Sequence, residues 1–281
     1  MSVRIIGPIA AAGLLPATIV AISMFAIHNL FVAMFLMHWF AMVPIIVLFS
    51  YLSKHKEDMW WYVRYLAMQE VKSIIVSFFG LFTLGCVVPV LSYMAASCRT
   101  AEWGLCIGPV TDNIAEFGFK EAPTWLIVAC AIYFPVVNPL IEEMFWRVCM
   151  NHESRFASEE DSREESATLI EEGVLSRSSD PDSIVGVPKE INLHVACWPL
   201  RILFSVLYAS YHTMVVGVFL GGVRFGILAF FLLTALGLIF QEIFAINTST
   251  QGFYKAVFFH IGVDLGVVIA LGDALGWYTL I

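Results

Sequence analysis

The sequence predicts an all-α fold: a polytopic membrane bundle of about seven transmembrane helices, with a polar site in the cytoplasmic half. Three observations carry this. Of 281 residues, 59% are apolar and 14% are charged, against about 25% charged in a soluble domain. Several apolar stretches reach the roughly 20 residues that cross a bilayer as a helix. The basic residues fall mostly to one side of those stretches, as the positive-inside bias requires. A β-barrel would instead show short segments of alternating hydrophobicity.

The spans read in order as Ile5–Ile27, Leu30–Leu52, Ser73–Ser97, Pro123–Met150, Trp198–Leu220, Val223–Ala245 and Phe253–Trp277. The first follows Arg4 closely, but it is longer than a signal-peptide core and lacks a clear cleavage site, so it reads as a retained helix. No internal repeat and no second domain stand out, and residues 1–281 read as one membrane-embedded domain. Side A of the membrane then holds the N-terminus, the loops 53–72 and 151–197, and the turn before Phe253. Counting Arg147, Arg201 and Lys255 at its helix ends, it carries 12 of the 15 Lys and Arg, and the other side, B, keeps Arg99, Lys120 and Arg224. This predicts a cytoplasmic side A and a cytoplasmic N-terminus. In a eukaryotic host the endoplasmic reticulum is the expected membrane; in a bacterium, the plasma membrane.

Most of the net charge of −8 sits in the 151–197 loop, where Glu153–Glu190 holds 11 acidic residues against Arg155, Arg163, Arg177 and Lys189. Rich in Ser and nearly free of aromatics, it reads as a disordered cytoplasmic insert between spans 4 and 5, either a solvated spacer or a docking segment for cytoplasmic partners or kinases. Cys98 and Cys106 share the side-B loop, where an oxidising lumen permits a disulfide. No nucleic-acid partner and no cofactor are expected.

Function is sought among ionisable groups inside the spans, because charge at that depth is costly and normally faces a partner or a cavity. The stretch NPLIEEMFWRVCM, Asn138–Met150, carries three. Glu143 and Arg147 are four apart, in the favourable order for a helical ion pair. Glu142 points about 100° away and has no partner on its own helix. Pro135 and Pro139 should loosen the backbone just above. His212 lies one turn after Tyr208 on span 5, and His260 and Asp264 share a face of span 7. Rise per residue places Glu142, His260, Asp264 and His212 about 13, 10, 16 and 20 Å from the side-A ends of their helices. Such agreement in depth is unexpected of independent packing residues. Glu242 and Asp273 lie near span ends and read as interfacial, and His28 and His38 as structural.

At these residues the chain resembles the CPBP family of intramembrane proteases, which includes the CaaX prenyl proteases. Pro139 precedes Glu142, Glu143 and Arg147 as in the family's Glu-Glu-x-x-x-Arg motif. Tyr208 and His212 match Phe-x-x-x-His with Tyr for Phe. His260 and Asp264 match His-x-x-x-Asn/Asp with the Asp that departs from the prenyl-protease branch, and Val148 replaces a frequent Gly. The resemblance covers roughly residues 123–272. It implies that Glu142 and His212 activate a water, with Glu142 as general base. His260 and Asp264 would face the oxyanion, and Glu143, Arg147 and Tyr208 would support the site. An ionised Asp264 would repel an oxyanion, so this role requires a protonated or His260-oriented carboxyl. The implied substrate is a membrane-associated peptide or lipidated protein in contact with the bilayer, such as a prenylated CaaX C-terminus, approached from the cytoplasm. Three other readings stand beside this one: a zinc protease with Glu142, His212, His260 and Asp264 as ligands, an inactive scaffold of the same fold, and a transporter, which the lack of repeats disfavours.

Overall fold

The computed structural model describes residues 3–52, 81–87, 115–151, 197–219, 223–246 and 250–274. Among them there are helices and no strands. The helices are α1 (Val3–Phe25), α2 (Leu30–Leu36), α3 (Val43–Leu52), α4 (Thr124–Glu143), α5 (Trp198–Phe219), α6 (Val223–Ile246) and α7 (Thr250–Ala274). Three wide π-type segments are also described; Ala115–Phe119 precedes α4, and the other two adjoin helices directly. Met37–Met42 joins α2 to α3, and Met144–Cys149 continues α4.

Six helical stretches are long and apolar enough to cross a membrane: Gly7–Phe25, Leu30–Phe49, Thr124–Cys149, Trp198–Gly217, Phe225–Ala245 and Gly252–Gly272. They coincide with six of the seven expected spans. Of the third, only residues 81–87 are described, and they are helical. The protein is a multi-pass membrane protein. Its outward faces carry large apolar side chains, among them Phe25, Phe40, Phe231 and Leu232, as lipid contact requires. Trp125 and Trp198 are exposed at the starts of α4 and α5, where an interfacial aromatic belt is expected. The proposed Cys98–Cys106 pair and the acidic segment 153–190 lie outside the described residues, as does the side chain of Asp273.

Local chemistry sets the helix ends. Asn29 caps α2 by accepting from the Val32 N–H at 3.0 Å. Gly118, at φ 97°, packs against that Asn29, and a Cβ there would lie 2.8 Å from its amide nitrogen. Pro123 precedes the first turn of α4 in an extended conformation, an entry that needs no N–H from proline. Pro135 and Pro139 are absorbed within a continuous α4; the irregular turn falls one step later, at Met144–Cys149.

Glycines let backbones meet. Gly217 faces Gly226, and Gly237 faces Ser205, so α5 and α6 pack antiparallel along their length. Gly85 and Gly262 bring residues 81–87 against α7. A methyl at Gly85 would overlap the Phe259 carbonyl oxygen, and one at Gly262 would overlap that of Phe82. Small residues at such crossings are how membrane helices associate without a hydrophobic driving force. At the side-A end, Arg201 on α5 pairs with Glu242 on α6 at 2.6 Å and lies over the Trp198 ring. The core between α1, α4, α5 and α7 is aromatic, with Phe145, Trp146, Phe204, Tyr208, Tyr211 and Phe240 fully buried.

Candidate functional site

All seven residues singled out in the sequence converge in this core. The antiparallel packing of α4 on α7 aligns Glu143 with His260 and Asn138 with Asp264. Glu143 Oε1 lies 2.8 Å from His260 Nδ1, and Glu143 Oε2 lies 3.2 Å from Arg147 Nε. The expected Glu143–Arg147 pair is therefore present, and it reaches on to a second helix. The Arg147 guanidinium sits between the rings of Tyr208 and Phe240, at 5.2 and 5.0 Å from their centroids. A buried cation is tolerated only when paired in this way, because an uncompensated charge costs several kcal/mol.

Glu142, 1% exposed, turns away from that pair toward three imidazoles on other elements. Its Oε2 lies 3.7 Å from both His212 Nε2 and His260 Nε2. Its Oε1 lies 3.9 Å from His38 Nε2. Oε2 has no hydrogen-bond partner among the described residues, which is rare for a buried polar atom and calls for a reason.

The tautomers follow from what each partner can do. His212 Nδ1 lies 2.9 Å from the Tyr208 carbonyl oxygen. A carbonyl only accepts, so Nδ1 carries the proton, and in the neutral ring Nε2 turns a lone pair toward Glu142. By the same logic the His260 Nδ1–H donates to the Glu143 carboxylate. His260 Nε2 then faces Glu142, the Tyr208 hydroxyl at 3.4 Å and Asp264 Oδ1 at 3.6 Å. Tyr208 serves the site three times, with its ring on Arg147, its carbonyl on His212 and its hydroxyl toward His260. The Tyr-for-Phe departure adds the last of these.

One expectation changes. His38, read as structural, belongs to the cluster. It was missed because it lies alone on its span, with no second polar residue at helical spacing. Asp264 is held as an acceptor by Asn138, whose Nδ2 donates to Oδ2 at 2.8 Å; its use as an oxyanion donor would require a proton on Oδ1. Asn138 was also missed, although it lies one turn before Glu142 on the same face. Among the described residues, no three His, Cys, Asp or Glu side chains are arranged to hold a metal ion. Glu142, His212, His260 and Asp264, the ligands of the alternative zinc reading, form no such group.

A cavity of about 190 Å³ adjoins the cluster. Glu142, His212, Asn138 and Asp264 line it together with apolar residues such as Ile127, Phe134, Val267 and Leu271. Along α4 these run from Glu142 back to Ile127, ~22 Å of helix, toward the side-B ends of α4 and α7. On its side-A flank the cluster is closed by Phe145, Trp146, Phe204 and Phe240, all fully buried. The space among the described residues therefore lies opposite to the side from which the sequence reading brought the substrate. The cause is the π-type segment, which packs Phe145 and Trp146 inward beneath Glu142.

Comparison with protein-family models, with curated proteins and with solved structures found no match for this chain.

Proposed function

We propose that this protein is an intramembrane endopeptidase of the glutamate type, as its resemblance to the CPBP family implies. The observation that carries the proposal is the Glu142 carboxylate, buried and facing His212 Nε2 across 3.7 Å at the end of a cavity. A water bound beside these two groups, on the cavity side, donates one proton toward Glu142 and the other toward the His212 lone pair. As its oxygen attacks the peptide carbonyl carbon, the proton passes to Glu142. The carbonyl π electrons move onto oxygen, and the oxyanion is met by His260 Nε2–H in the imidazolium form. Collapse of the tetrahedral species re-forms the C=O bond and breaks C–N, and Glu142 returns the proton to the leaving amine. General base catalysis of this kind contributes about 10²–10⁴-fold, and an oriented oxyanion donor about 10²–10³-fold. Asn138 and Asp264 orient His260 from one side, and Glu143 from the other.

The substrate in this proposal is a membrane-associated peptide whose apolar part occupies the cavity, with a prenylated CaaX C-terminus as the first candidate. The proposed orientation keeps side A and the N-terminus cytoplasmic, with the endoplasmic reticulum as the membrane in a eukaryotic host. The test is incubation of purified protein in lipid nanodiscs with a farnesylated CaaX peptide, scored by mass of the released C-terminal fragment. Cleavage by wild type and not by Glu142→Ala supports the reading; equal cleavage by both, or none by either, removes it.

A further inference from the structure

Three imidazoles surround Glu142, and the proposed chemistry uses two. We propose that the third, His38, is a positioning residue that fixes the Glu142 carboxylate so that Oε2 faces His212. The inference rests on Glu142 being the general base.

His38 is fully buried in the wide Met37–Met42 turn. Its Nδ1 lies 3.0 Å from the Tyr133 hydroxyl, and its Nε2 lies 3.9 Å from Glu142 Oε1. A carboxylate only accepts, so the proton belongs on Nε2, and Nδ1 accepts from the Tyr133 O–H. Tyr133 and Glu142 are both on α4, nine residues apart, so one ring engages that helix at two heights. Nε2 has no hydrogen-bond partner among the described residues. A buried donor left unmade is costly, and the nearby group that would satisfy it is Glu142 Oε1. The 3.9 Å separation is longer than a hydrogen bond, as is common at catalytic contacts before substrate tightens them. With Oε1 held by His38, rotation about the last bond of Glu142 is restricted and Oε2 is left for the water. A π-type segment supplies the ring at this place, and such segments recur at functional sites.

The experiment pairs two replacements that fill the ring's space and differ in the donor. His38→Gln keeps an N–H near the position of Nε2; His38→Leu does not. With a farnesylated CaaX peptide in nanodiscs, His38→Leu should lower kcat about 10- to 100-fold at little-changed KM, the scale of a misplaced catalytic group. His38→Gln should recover most of that loss. Equal activity of both variants, whether both intact or both lost, overturns the proposal. A second arm needs no substrate. In protein carrying ¹⁵N-labelled histidine, Glu142→Gln should shift the His38 ring signals, assigned by their loss in His38→Gln, and leave those of His28 in place. Unmoved His38 signals overturn the inference. If wild type cleaves no peptide, the proposed function fails, and the resonance arm alone decides the contact.

Discussion

Glu142 and Glu143 are neighbours with unrelated tasks, and the difference is which helix face each occupies. Glu143 neutralises Arg147 and anchors His260; Glu142 Oε2 has no hydrogen-bond partner among the described residues. Glu142→Gln preserves shape and removes the base, so turnover of the farnesylated peptide should fall by at least about 10²-fold with the fold intact. Glu143→Gln should act on stability as well as on the orientation of His260. It leaves the buried Arg147 without a countercharge, a loss of about 3–5 kcal/mol, visible as a lower unfolding temperature in nanodiscs even before activity is assayed. Asp264 separates two roles. If it donates to the oxyanion, Asp264→Asn keeps most activity and flattens the high-pH side of the profile, because an amide cannot ionise. Asp264→Ala then loses about 10²–10³-fold. If Asn and Ala are equally inactive, the carboxylate is required to orient His260, the role that the Asn138 bond favours.

Among the elements, α7 bears most of the burden: it carries His260 and Asp264, and it meets residues 81–87 backbone to backbone at Gly262 and Gly85. Gly262→Val should therefore force these elements apart and cost about 1–3 kcal/mol, as overpacking does. Among the described residues nothing lies within 4 Å of a Cβ built at Gly7 on α1, so Gly7→Val is the matched control and should leave thermal stability unchanged. Two of the π-type segments have a related effect. Met144–Cys149 turns Phe145, Trp146 and Arg147 inward together, and Met37–Met42 turns His38 inward.

For the whole molecule, the cavity and the acidic insert give opposite expectations. Val267 lines the cavity beyond Asp264, so Val267→Phe should reduce kcat/KM for a lipidated peptide more than for a short soluble one. Equal reduction would show that the cavity does not receive the apolar part. Replacing residues 153–190 by a short Gly/Ser linker should leave turnover of a small peptide largely intact. Regulation in cells is a separate matter: Ser158 and Ser162 each precede an acidic residue by three positions, a pattern suited to acidophilic kinases. Prolonged chelation should not abolish activity. Loss of one tightly held zinc together with activity would instead establish the metalloprotease reading.

The sequence by itself determined the class of fold, six of the spans to within a few residues, and the identity of Glu142, Glu143, Arg147, Tyr208, His212, His260 and Asp264 as one group. It could do so because bilayer crossing imposes a long apolar run, and ionisable residues within such runs are conspicuous. Shared depth was legible from rise per residue alone. Only the tertiary structure decided which atoms face each other. His38 and Asn138 entered the site because helix rotation and a π-type turn aim their side chains inward, and a lone polar residue gives no sign of its azimuth. The side on which the cavity lies was likewise invisible to counting. It depends on how Trp146 packs against Tyr208 and Tyr211 on α5, contacts between residues roughly 60 to 65 positions apart that no local periodicity encodes.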